Sequence, residues 1–170
     1  MFLKHTIIFL LFFILALLQT SFLPYFSIMG SILNIVFILF FILIFFGENE
    51  EEFFIPITAG FFLDTFLTSY FGISIISLLA VYIFQKFITH FFKISRNDYF
   101  IFYFIVLFLI NFILYNVVLY LFSIITHFKF DLGWNVIIGL IYNLTFACVG
   151  FYIYKKFIKK DDLKNQLKLL

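Results

Sequence analysis

Few polar groups in this chain are placed to do chemistry, and one stands apart. Asp64 lies in AGFFLDTFLTSYFG, Ala59 to Gly72, with apolar runs on both sides. A carboxylate in such surroundings has three uses: a structural contact inside a helix bundle, a contact to a partner's transmembrane helix, or proton or ligand binding. Gly60, Asp64, Thr68 and Gly72 follow at intervals of four and share one helix face. Small residues at that spacing let two helix backbones approach closely. A matching stripe, Gly139, Asn143 and Ala147 with Gly150 beyond, stands near the end of the chain, and Asn111 and Tyr115, with Asn116 beside them, stand between. The helix carrying Asp64 is therefore expected to pack its stripe on the fifth or sixth helix, where the carboxylate meets an Asn or Tyr. No basic residue lies at its depth, so no internal ion pair is expected. Gln19, near the outer end of the first helix, poses the same question.

Other chemistry finds no constellation. His5, His90 and His127 fall at the boundaries of apolar segments. There is no HExxH, no Gly-rich phosphate loop and no paired Asp for intramembrane proteolysis. An intramembrane serine protease needs a Ser with a His in another span, and no His here lies deep enough. The expectation is a non-enzyme with no cofactor and no metal. Cys148 is the single cysteine and forms no intrachain disulfide.

The elements that position these residues follow from composition. The 170 residues are 65% hydrophobic and 12% charged, with mean hydropathy +1.19. A soluble domain is nearer 45–50% apolar and about 25% charged, and a globule of this size cannot hide such an excess. The class is an integral membrane protein. Many of the 32 Phe reflect AT-rich codon usage acting on lipid-facing and core positions. The formal net charge of +2 gives no sign of a nucleic-acid partner.

A spanning helix needs about 20 mostly apolar residues. Six candidates run from about His5 to Leu23, Ile32 to Phe46, Phe53 to Phe71, Ile73 to Phe92, Asp98 to Thr126 and Gly133 to Ile158. They make one polytopic domain over 1–170, an all-α bundle of six transmembrane helices with a basic tail at 159–170. Runs such as IVFILFFILIFF do not alternate, which excludes a transmembrane barrel. The first segment resembles a signal peptide but lacks a clear small-x-small cleavage site, and is read as an uncleaved helix. With both termini cytoplasmic, ten of the 11 Lys and Arg fall inside and only Lys129 outside, as the positive-inside rule asks. The acidic loop GENEEE also falls inside, but acids weigh little in that rule. The tail YKKFIKKDDLKNQLKLL is expected to hold the last helix at the anionic inner leaflet, each Lys contributing about 1 kcal/mol.

Four places in the chain resemble the rod shape-determining protein MreD family of bacterial inner-membrane proteins. They are ALLQTSFLP, with Gln19 and Pro24; SILNIVFILFF, with Asn34 at the mouth of the second helix; GFFLDTFLTSYFG, with Gly60, Asp64 and Gly72 at the family's Gly-x3-Asp-x7-Gly spacing; and NVIIGLIYNLTFACVGFYIYKKF, a last helix ending in basic residues. Two departures stand out: Leu33 precedes Asn34 where the family often has Pro, and Leu67 and Thr68 stand where it often has Ser-Gly. The resemblance implies a non-enzymatic scaffold of the cell-elongation complex in the bacterial cytoplasmic membrane. Its implied partners are an MreC-like protein, a RodA-like glycosyltransferase with its transpeptidase, and an MreB-like filament. The alternative is the substrate-binding membrane subunit of an energy-coupling-factor-type nutrient transporter, a small six-helix class whose fold is suspected to be related. Ala16 standing alone in the first helix, and outer loops with few ligand groups, weigh against it.

Overall fold

In a bilayer every backbone N–H and C=O needs a partner within the chain, and long runs of Leu, Ile and Phe meet that demand as helices. The computed structural model describes residues 2–47, 53–67, 70–92, 100–126 and 133–157. Thr68, the GENEEE loop beyond Gly47, the Lys93–Asn97 and His127–Leu132 connections and the 159–170 tail lie outside the described residues. Among the described residues six α-helices follow in order: α1 Phe2–Ser21, α2 Ile35–Phe46, α3 Phe54–Leu67, α4 Ile73–Phe92, α5 Phe100–Thr126 and α6 Trp134–Phe157. No strand occurs among the described residues. Three of the helices hold stretches long and apolar enough to cross a membrane: Ile73–Phe91, Ile101–Thr126 and Trp134–Lys156. Three shorter apolar stretches accompany them, His5–Ser21, Ile35–Phe46 and Phe54–Phe66.

Two helices are shorter than the hydropathy pattern predicts. α2 starts at Ile35 rather than near Ile32, because Asn34 caps it and the residues before Asn34 are not helical. α3 is described from Phe54 to Leu67 and does not reach Phe71, because Tyr70 to Gly72 form a bend and turn. Asp64 therefore sits near the described end of α3, beside the hairpin to α4. Pro56 falls in the first turn of α3, where a missing N–H breaks no helical bond.

α2 is the central helix. Seven of its 12 residues are buried, and Phe37, Phe40 and Phe41 have no exposed surface. α1, α3 and α6 pack against it. On the α5 side, Phe37 meets Phe108 and Phe112 edge-on, with ring centroids 5.8 and 5.5 Å apart. Phe41 meets Phe104 and Phe108 in the same way at 5.3 and 5.1 Å. The other helices form an arc in which α1 packs on α3, α3 on α4, α4 on α5 and α5 on α6. Edge-to-face rings add about 0.5–1.5 kcal/mol per pair beyond the area they bury. Much of the phenylalanine content is thus a packed aromatic seam, while α1 and α6 turn Ile7, Leu10, Ile14, Ile141, Val149 and Ile153 outward.

Candidate functional site: two helix starts and a polar cleft

The first turn of a helix leaves backbone N–H groups without partners, and burying them in an apolar bundle is costly. α2 and α4 both begin inside this bundle, and side chains distant in sequence supply the acceptors. At α4, the Asp64 carboxylate accepts three N–H bonds. Oδ1 takes that of Ser74 at 2.7 Å, and Oδ2 takes those of Gly72 at 2.8 Å and Ile75 at 3.2 Å. The positive end of the helix dipole favours a carboxylate there. Gly72 makes the turn possible, with φ +101°, a conformation that side chains disfavour.

The small-residue stripe of α3 brings Asp64 within reach. A Cβ on Gly60 would fall against Ile75 Cα and lie 2.7 Å from Ile75 N, so the backbones of α3 and α4 touch at this point. This corrects the expected pairing: the stripe packs on α4 at Gly60, not on α5 or α6, and the Asp64 carboxylate accepts from backbone amides of the α4 start. The physical reason is the short hairpin, which leaves α3 and α4 side by side.

At α2, three side chains share the work. Gln19 Oε1 of α1 accepts the Val36 N–H at 3.1 Å, and Asn143 Oδ1 of α6 accepts the Asn34 N–H at 2.7 Å. Asn34 Oδ1 accepts the Phe37 N–H at 2.9 Å. The Asn143 Nδ2 donates to Gly139 O at 2.7 Å, which fixes the orientation of its amide. The α6 stripe packs on α2 and the loop before it, with Ala147 fully buried, Gly150 against Ile42 and Gly139 against Ser31. Tyr115 of α5 lies between the two helix starts, its side chain near those of Ser74 and Asn34. Gln19, Asn34, Asp64, Gly72 and Asn143 thus belong to one polar layer, Gly60 sets its spacing, and Thr68 lies outside the described residues.

Gln19→Leu keeps the bulk but leaves the Val36 N–H buried without an acceptor. The expected loss is about 1–3 kcal/mol, read as a lower melting temperature of the purified protein in detergent. A melting temperature equal to the parent's would remove Gln19 from the capping role.

Beside the α2 start lies an open cleft of about 270 Å³ between α5, α6 and the α1–α2 connection. Its polar lining is Ser31, Asn34, Tyr115, Asn116, Asn135 and Asn143. The connection is held by mutual backbone bonds between Ile28 and Ser31 around Met29 and Gly30, both at positive φ. The Ser31 hydroxyl ties it to α6 by donating to Asn135 O at 2.9 Å.

Sequence reasoning missed a second polar contact, where Asn111 Nδ2 of α5 donates to Gln85 Oε1 of α4 at 3.0 Å, both residues buried. The signal was present, since Asn111 was noted, but Gln85 stands beside Lys86 and reads as part of a helix end. Among the described residues no group of three His, Cys, Asp or Glu could hold a metal ion. No family model, curated protein or solved structure matches the chain.

Proposed function

We propose that this protein is a non-enzymatic membrane scaffold of the bacterial cell-elongation machinery, similar in role to the MreD family. In this reading it crosses the cytoplasmic membrane six times with both termini inside. It holds an MreC-like protein and a RodA-like glycosyltransferase with its transpeptidase, near an MreB-like filament, in support of lateral peptidoglycan synthesis and cell shape. One observation carries the reading. Gln19, Asn34 and the Gly60–Asp64–Gly72 set come from three separate motifs, and in the structure they serve two neighbouring helix starts. The polar groups of the motifs are thus used to build the bundle, and the outward faces of α1 and α6 are left apolar for lipid or for other membrane helices. The ten-to-one distribution of basic residues supports the topology.

The test is co-purification of the tagged chain from its own membranes in mild detergent, with partners identified by mass spectrometry. Recovery of MreC-like and RodA-like proteins is the expected result. Recovery instead of paired ATPases with a transmembrane coupling subunit would overturn the scaffold reading in favour of nutrient uptake.

A further inference from the structure

The cleft beside the α2 start is not used by the scaffold reading. We propose that it binds an uncharged, hydroxyl-bearing group of a small ligand, about the size of one sugar ring. Its volume of about 270 Å³ equals about nine waters at about 30 Å³ each, just below the range of about 300–1,000 Å³ for drug-sized ligands.

Three observations set the chemistry. First, Asn116 is only 8% exposed and lines the cleft. Its Nδ2 donates to Phe112 O at 2.7 Å, and its Oδ1 has no partner among the described residues. An amide oxygen that lines the cleft without a protein donor has its acceptor capacity open, and a ligand hydroxyl supplies the donor. The exposed Asn135 amide at the mouth adds a donor and an acceptor. Second, among the described residues no charged side chain lines the cleft. The amides of Asn34, Val36 and Phe37 at the α2 start are already bonded to Asn143, Gln19 and Asn34, so neither an anion nor a cation finds a counter-charge among the described residues. Third, Tyr25, Met29, Ile32 and Trp134 near this end of the bundle are exposed, and aromatic and apolar residues of this kind sit at a membrane–water boundary. A neutral glycolipid head group and a free sugar present the same hydroxyls.

Trp134 is the single tryptophan of the chain and directly precedes Asn135, so its emission reports on the cleft. The full-length protein in phosphatidylcholine nanodiscs is titrated with monoglucosyl diacylglycerol in one arm and with methyl glucoside in water in the other. A saturable emission change is expected, weakened about ten-fold or more in Asn116→Leu. That variant is expected to keep its melting temperature, because the Asn116 side chain bonds only its own helix. Saturation by the lipid alone assigns the ligand to the membrane, and saturation by methyl glucoside assigns it to water; both support the site. Should Asn116→Leu fail to fold, Asn135→Ala, altered at an exposed position, takes its place. No saturable change in the parent protein, or an equal change in the variant, overturns the proposal.

Discussion

Asp64→Ala is expected to destabilise the bundle by about 3–5 kcal/mol. The variant removes the acceptor of three N–H groups at the start of α4. An unsatisfied buried donor costs about 1–3 kcal/mol. The Ser74 bond is fully buried and those of Gly72 and Ile75 only partly, so water recovers part of the loss at the latter two. Relief from burying the carboxylate offsets a further part. Asp64→Asn keeps one acceptor oxygen and should fall between parent and alanine variant. Membrane insertion should persist, since the apolar segments are untouched. Melting curves in one detergent decide the matter, and coincident curves for parent and Asp64→Ala would refute the cap.

The second large effect is expected at Gly60. In Gly60→Ala the new methyl group meets backbone atoms of Ile75, which cannot rotate away as a side-chain tip can. The helices must separate, at about 3 kcal/mol or more, the upper part of the range for overpacked cores. Gly150→Ala is the control: its Cβ would meet only the end of the Ile42 side chain, which can swing aside at little cost. Separation of α3 from α4 also pulls Asp64 off the amides it caps, because Gly60 and Asp64 stand one turn apart on one face. The double variant Gly60→Ala/Asp64→Ala should therefore cost clearly less than the sum of its parts. Strict additivity in chemical denaturation would show that the two positions act independently.

Hydropathy made most of the helical segments legible, and α4 begins at its expected residue, Ile73. The misses have physical causes. Hydropathy counts apolar residues but does not register where a backbone stops being helical, so it carried the third helix on to Phe71, which lies in a turn. Gly72 was the better signal, because only a turn there needs its positive φ. The small-residue stripe announced a close approach at Gly60 without naming the partner, since spacing along one helix says nothing about its neighbour. Adjacency of consecutive elements would have favoured α4. Asn34 was placed at the mouth of the second helix, where it caps, but the contributions of Gln19 and Asn143 at that start depend on contacts across the fold. Asn116 was visible as a residue, and its place in a cleft depends on where α6 and the α1–α2 connection lie.

The way α2 is capped also sets an order in time. Gln19 precedes Val36 by 17 residues, so that bond can form as soon as the first hairpin is made. Asn143 follows Asn34 by 109 residues, which at about 5–20 residues per second delays its arrival by roughly 5–20 s of synthesis. The aromatic seam on α5 also arrives after α2. With only 12 residues, or about 18 Å of helix, α2 is too short to rest alone across a hydrocarbon layer of about 30 Å. The nascent chain must therefore keep its central helix sheltered, by the insertion machinery or in the first hairpin, until its last helix arrives to complete it.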